Sequence, residues 1–495
     1  MLRWLTNLLP GKRVDAAAGV SRRPAGRLLR AKYDAAQTTA ENRRHWAMAD
    51  ALSADGAMSP QVRRVLRSRS RYEVANNGFA RGIVNTLANH VIGTGPRLQM
   101  LTDDADANRL IEREFARWAK ATQLALKLWT MRVSQCESGE VFAVLSTNPQ
   151  IDSAVKLDLR LVEADRVSTP WQLQSDRRVV DGIRFDEFGN AVSYAVLRSH
   201  PGELAGWSRD MAYDVLPAEA VLHLYRPERP GQSRGVPEIT SSLSLFAMLR
   251  RYSLAVLSSA EQAALLGGVI YTDAPADVEA ANVEAMDQIE LDRGTWMTLP
   301  YGWKVSQVRA EQPTTMYGDY TSKVLNEIAR PLNMPFNIAM GNSAGYNYAS
   351  GRLDHQSFFK AIRIDQCHVA ATVLDRVLTT WLNEAVLVEG LLPQWLRERG
   401  AIEEVRYRTQ WFWDGLEHVD PLKEANAQAT RLGNNTTTLA AEYARQGLDW
   451  ENELRQRAKE RALMDELGLA PAAVAAPGDE EDTVDESESD HADAP

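Results

Sequence analysis

The most constraining feature of this sequence is a 26-residue stretch, Ser241–Leu266, that contains neither glycine nor proline. With no helix breaker inside it, the stretch predicts one continuous helix, about 40 Å long at 1.5 Å per residue. Leu243, Leu245, Phe246, Met248, Leu249, Leu254, Val256, Leu257, Leu265 and Leu266 spread apolar groups around nearly its whole circumference. Such a helix has to be covered on several sides, by a large core or by another subunit. A membrane span does not explain it, because Arg250, Arg251 and Glu261 interrupt the apolar run from Leu243 to Tyr271. Gly267-Gly268 ends it.

The elements around this helix read as α+β, mainly α. Upstream, Ser59-Pro60 is a helix start, and Gln61–Val74, Phe79–Val91, Ala105–Trp118 and Leu126–Gln135 carry helical apolar spacing. Short β-branched runs follow at Val141–Leu145, Val155–Leu161, Gly182–Phe185, Ser193–Leu197 and Ala220–Tyr225, with Asp186–Asn190 as a hairpin loop. Residues 141–226 therefore predict a small, mostly antiparallel β region, closed by the loop Arg229–Pro237. Downstream lie strand candidates Val269–Thr272, Trp296–Leu299 and Val305–Val308, a helix Tyr317–Ala329, and a Gly/Asn/Ser/Tyr-rich loop up to Gly351. A long helix Leu353–Val388 comes next, then further helical segments broken at Gly390–Pro393, Trp411–Pro421 and Gly433–Asn435.

Charge is unevenly distributed. The chain carries a net −10, yet its first hundred residues hold 17 Lys/Arg against 6 Asp/Glu, and Asp479–Pro495 holds nine acids and no Lys or Arg. The acidic end has too little apolar surface to offset its ordering entropy and reads as disordered. The overall balance argues against a protein that clamps nucleic acid by bulk charge. The cluster Arg63, Arg64, Arg67, Arg69 and Arg71 offers a basic nucleic-acid-binding surface as the secondary reading, with contacts to neighbouring subunits or scaffold as its alternative. Two cysteines, Cys136 and Cys367, exclude a disulfide-stapled scaffold and fit a reducing compartment. The apolar patch in Met1–Arg13 is too short and interrupted for a signal peptide.

Catalytic patterns are sparse. Neither a phosphate loop nor a dinucleotide fingerprint is present, and the histidines do not have metal-ligand spacing, so no cofactor or metal is expected. Asp354-His355 and Cys367-His368 fall on the long helix, where they read as packing contacts. Gly341–Gly345 matches the Gly-x-Ser-x-Gly elbow of serine hydrolases, with Ser343 as nucleophile and Asp365 or Asp375 and His418 downstream in the right order. That elbow requires a buried strand before the serine and a parallel sheet around it, and the flanking pattern supplies neither. A loop using Gly and Asn for turn conformations fits better.

Five blocks give the chain a family likeness. Ala40–Trp46 (AENRRHW), Arg71–Asn77 (RYEVANN), Gly82-Ile83-Val84 followed by Val91–Gln99 (VIGTGPRLQ), Tyr346–Gln356 (YNYASGRLDHQ) and Val419–Ala425 (VDPLKEA) resemble, in order, the lambda-family bacteriophage portal proteins. The resemblance spans about residues 30–469. It implies a structural protein, not an enzyme, forming a ring of about twelve identical subunits at one capsid vertex. Double-stranded DNA passes through the ring's channel without sequence specificity.

The implied partners are the terminase large subunit, a head–tail adaptor, and capsid and scaffold proteins, with assembly in the bacterial host cytoplasm, no membrane and no cofactor. The implied architecture is a basic flexible arm (1–32), a wing (33–240), a first stem helix (241–267), a clip (268–312), a second stem helix (313–333), a tunnel loop with a long wing helix (334–390), a helical crown (391–470) and an acidic tail (471–495). Asn342, Ser343, Tyr346, Asn347, Tyr348, Ser350 and Arg352 are then the tunnel-loop candidates facing DNA. Lys323 and Arg330 are channel-facing stem candidates, or alternatively helix-surface charges in subunit contacts. Asp277, Glu284, Asp287 and Arg293 are clip candidates for the terminase or adaptor. Small neutral polar groups suit a conduit, because each phosphate neutralised adds affinity that translocation has to break.

Overall fold

The computed structural model describes residues 39–40, 42–173, 176, 178–203, 212–265, 269–272, 303–306, 316–344, 348–398, 400–415 and 421–469. Met1–Leu52 and Ser53–Pro495 are separate compact units. In the first, residues 42–48 form a turn in which Thr39 N–H donates to Asn42 Oδ1 at 2.7 Å and Asn42 N–H returns the bond to Thr39 Oγ1 at 3.2 Å.

The second unit starts with a short helix α1 (Ala54–Ala57) and then α2 (Pro60–Asn76) and α3 (Gly78–Ile92). Ser59 caps α2 by accepting Val62 N–H, with Pro60 in the first turn, and Asn77 caps α3. After strand β1 (Arg97–Met100) come α4 (Ala105–Ala121) and α5 (Leu124–Ser138). Strands β2 (Glu140–Thr147), β3 (Leu157–Glu163), β4 (Val179–Val180), β5 (Ile183–Phe185), β6 (Ala191–Leu197), β7 (Tyr213–Pro217) and β8 (Val221–Tyr225) follow. They form two antiparallel sheets, ordered β3-β2-β8 and β4-β5-β6-β7. Phe142, Val144 and Val162 of the first sheet meet Ile183, Tyr194 and Val196 of the second in a small core of their own. The opposite face of the first sheet joins the main helical core, where Trp118 Nε1–H donates to Leu157 O at 2.8 Å and pins α4 to β3.

The Gly- and Pro-free run forms α6 (Leu243–Leu265). The insert after it contributes the antiparallel pair β9 (Val269–Thr272) and β10 (Trp303–Ser306), and α7 (Met316–Ala329) returns along α6. Trp296–Leu299 lies outside the described residues. A short α8 (Phe336–Met340) ends at Gly341, φ 67°, where the left-handed conformation suits glycine. The long helix then runs as α9 (Tyr348–Val369), a π-helical stretch Ala370–Leu374, and α10 (Asp375–Ala385). It starts five residues before the expected Leu353, so the loop is shorter than the composition implied. The last elements are α11 (Ala401–Val405), β11 (Thr409–Phe412), α12 (Pro421–Gly433), α13 (Leu439–Arg445) and α14 (Trp450–Glu466).

Two features depart from the periodicity. β11 pairs antiparallel with β1, matching Arg97 with Phe412 and Met100 with Thr409, so segments more than 300 residues apart share a ribbon. Within one chain, moreover, α6 is covered on only part of its circumference. Leu243, Phe246 and Leu249 are buried, whereas Met248, Leu254 and Leu257 are 62%, 61% and 56% exposed.

The turn from α5 into β2 needs glycine. Gly139 has φ 88°, and a Cβ there would lie 2.4 Å from the Val236 carbonyl carbon. Gly139→Ala is therefore expected to lower stability by about 1–3 kcal/mol from backbone strain alone, with the contact adding to it. Thermal unfolding followed by circular dichroism measures the loss.

Candidate nucleic-acid interface

The close approach at Gly139 brings the loop Arg229–Pro237 against the start of β2, and with it Arg234 against Glu140. Both side chains are buried. Glu140 Oε1 accepts from Arg234 Nη2 at 2.7 Å and from Arg67 Nη2 at 3.1 Å, while Oε2 accepts Gly235 N–H at 2.9 Å and lies 3.0 Å from His223 Nε2. Asp165 accepts from Arg67 at 2.9 Å and pairs with Arg71 at 2.8 Å. Asp181 pairs with Arg63 and, at 3.0 Å, with Arg234. Burial alone would raise the Glu140 carboxyl, but Arg234 and the bond from His223 hold it well below the usual carboxylate range. Burial keeps the His223 imidazole low, hence neutral near pH 7. Asp55 fixes the same loop from α1 by accepting Ser233 N–H at 2.9 Å and its hydroxyl at 2.8 Å.

This network corrects one expectation. Arg63 and Arg67 point into the protein and Arg71 is held at its edge, so the arginine stripe is not a continuous nucleic-acid surface. Only Arg64 and Arg69 of the five are exposed. A second buried cluster anchors α9. Asp365 accepts from Arg132 of α5 at 3.1 Å and from Arg226, while Arg132 also bonds Glu238 at 2.8 Å. Gln366 Nε2–H donates to Val91 O at 3.1 Å. The long helix is thereby tied to α3, α5 and the end of β8.

What precedes α9 is the candidate interface. Asn342 and Ser343 are exposed in the turn after α8, where Asn342 Oδ1 accepts Ala344 N–H at 2.8 Å. Tyr346 and Asn347 lie outside the described residues. Tyr348, Ser350 and Arg352 belong by their backbone to the start of α9, not to a loop, and their side chains lie outside the described set. Lys323 of α7 and Arg330 just beyond it are both exposed and both line a groove of about 510 Å³. Ser322, Asn326, Asn333, Asp354 and Ser357 complete its polar lining. The sequence pointed to the two bases but not to this groove, which exists only because the start of α9 lies across it from α7. Asp277, Glu284, Asp287 and Arg293 lie outside the described residues.

The hydrolase reading fails on geometry. A helix, α8, precedes Ser343 where the elbow needs a buried strand. Asp365 is committed to Arg132 and Arg226, Asp375 accepts Trp411 Nε1–H at 2.8 Å, and His418 lies outside the described residues. The paired histidines act in packing: His355 Nε2 meets Asn337 at 3.1 Å, and His368 Nε2–H donates to Tyr225 O at 2.9 Å. Glu163, Asp165 and His200 gather their ligand-type atoms within 4.8 Å, but Arg71 already supplies the positive charge there. No described helix is long and apolar enough to cross a membrane.

A sequence model described as "Phage portal protein, lambda family" matches residues 40–366. The chain belongs to the lambda family of phage portal proteins. Among its portal relatives, the probable portal protein of Halomonas phage phiHAP-1 is 26% identical over 431 residues, covering 82% of this chain and 81% of that protein. Portal protein B of Escherichia phage lambda is 22% identical over 478 residues, covering 86% of this chain and 88% of its own. Among solved structures, the virion of a native gene transfer agent particle contains a chain with TM-score 0.44 and 15% identity, covering 77% of this portal chain and 93% of that one. The neck of the empty particle contains one with TM-score 0.46, 14% identity and the same coverages.

In this portal chain the Glu140 cluster holds α2, β2, β8 and the loop before α6 together. Arg234→Ala leaves Glu140 buried with part of its compensation gone, and is expected to cost about 3–5 kcal/mol, read as a lowered melting temperature. Because the folded-state value of Glu140 is depressed, its contribution is present above the ordinary carboxylate range. It is lost as pH falls toward that depressed value, and Glu140→Gln should flatten this acid limb of the melting profile.

Proposed function

We propose that this portal chain closes into a ring of about twelve copies around a central channel, and that double-stranded DNA enters the capsid through it during packaging and leaves through it at ejection. The observation that carries the reading, beside family membership, is the incomplete cover of α6. Met248, Leu254 and Leu257 face solvent in one chain although the helix is built to be buried. A closed ring covers such a helix twice, once from each neighbour.

In this reading α6 and α7 are the stem (241–267 and 313–333) and the intervening insert 268–312 is the clip. Residues 33–240 are the wing, 334–390 the tunnel loop and long wing helix, and 391–470 the crown, with a basic arm at 1–32 and an acidic tail at 471–495. Asn342, Ser343, Tyr346, Asn347, Tyr348, Ser350 and Arg352 contact the passing DNA weakly and without sequence preference, while Lys323 and Arg330 temper its charge from the stem groove. Asp277, Glu284, Asp287 and Arg293 on the clip meet the terminase large subunit before packaging and the head–tail adaptor after it. Capsid and scaffold proteins hold the ring at its vertex, so the mature protein resides in the virion. ATP chemistry belongs to the terminase.

Negative-stain images and native mass spectrometry of the purified chain test this. Rings with a central hole are expected, and a species that stays monomeric at micromolar concentration overturns the reading. Leu254→Asp together with Leu257→Asp should leave helical content intact and abolish the rings.

A further inference from the structure

The C-terminal helix α14 buries none of its residues, and Leu463 and Met464 are exposed along it. Its first turn is the part that faces the rest of the fold. Asp449, Asn452 and Glu453 line a cleft of about 950 Å³ whose other walls come from β1, α4 and α5. Glu112 of α4 lines the same cleft. Its carboxylate accepts Met100 N–H at 2.7 Å, which ties α4 to the end of β1 and, through the ladder, to β11.

The charges facing Glu112 divide by element. On α4 stand Arg109 and Arg113, already paired with Asp106 and Glu114, and Lys120 farther along. β1 brings Arg97, which pairs at 3.7 Å with Asp414 beyond β11. α5 presents only Leu124, Ala125 and Leu126 to the cleft. The start of α14 presents three acids, Asp449, Glu451 and Glu453. Glu112 thus sits half-buried, held by one backbone donor, and confronted by the acidic end of a helix that meets α13 but buries none of its own residues.

We propose that Glu112 is a proton-controlled latch for α14: as a neutral carboxyl it lets the acidic first turn rest against α4, and on ionising it drives that turn away. Burial pushes the Glu112 carboxyl up to about 7, Met100 N–H and the Arg109 charge oppose the rise, and Asp449 and Glu451 add to it. The latch therefore works in the neutral range. The raised folded-state value sets the direction: the contact is complete at low pH and is lost as pH climbs through about 7. Linkage makes the effect reciprocal. Whatever factor the acids of α14 contribute to Glu112's proton affinity, ionised Glu112 subtracts from the docking equilibrium of α14.

Hydrogen exchange of the full-length chain, read by mass spectrometry at pH 6 and pH 8 and corrected for intrinsic rates, tests the latch. Amides of α14 are expected to exchange about fivefold or more faster at pH 8, the lower end of ordinary coupling between two sites. Glu112→Gln keeps an acceptor for Met100 N–H and should hold α14 at its slow, pH 6 rate at both pH values. Asp449→Asn with Glu451→Gln keeps the helix cap, removes the repulsion that ionised Glu112 exerts on α14, and should flatten the pH dependence of α14 exchange. Exchange independent of pH in the wild type, an unchanged transition in Glu112→Gln, or a pH dependence left intact by the α14 pair each overturns the proposal.

Discussion

A carboxylate with no access to water is tolerated only when its charge is answered by partners in place. Glu140 is such a group, and the four donors that answer it come from three parts of the chain: Arg67 from α2, His223 from β8, Arg234 and Gly235 from the loop before α6. Because Glu140 begins the central strand β2, satisfying it sets the positions of the first long helix, the sheet and the entry to α6 together. Buried ion pairs gain little net stability over well-packed apolar groups of the same volume. What the cluster supplies is a single permitted arrangement, because any other leaves a buried charge without a partner.

The same constraint shapes the surface. Arginines committed to Glu140, Asp165 and Asp181 are withdrawn from contact with nucleic acid, and the exposed turn at Asn342 and Ser343 carries small neutral groups instead. For a proposed conduit this division is physically sensible. Affinity for phosphate rises with each neutralising contact and would have to be broken at every step of transport. In the proposed conduit, Lys323 and Arg330, the two bases of a groove lined by α7 and the start of α9, soften repulsion without building a clamp.

Much of the architecture was legible because it rests on local signals. Ser59-Pro60 opens α2 where a helix start was read, and the β-branched runs became β2, β3, β5, β6 and β8 within two residues of the expected spans at either end. The ladder between β1 and β11 was not legible, since neither segment is long or alternating enough to announce a strand and their pairing depends on the whole intervening chain. Nor was the π-helical stretch in the long helix, which shares the apolar spacing of its flanks. The candidate site was partly legible. Composition pointed to the loop and to Lys323 and Arg330, whereas the groove that joins the two bases to Asp354 and Ser357 required the start of α9 to lie across it from α7.

By itself the sequence determined which segments are helical, which helix must find cover on every side, and which family the chain resembles, because helix breakers, caps and apolar period act over a few residues. Tertiary structure alone decided the fate of the charges. An arginine on a helix reads the same in sequence whether it faces solvent or a buried carboxylate 73 positions away, as Arg67 faces Glu140. Glu112 likewise looks like any helix-surface acid until α14 turns its own acids toward the same cleft. Electrostatic environment is a property of what long-range folding brings near, and no local pattern encodes it.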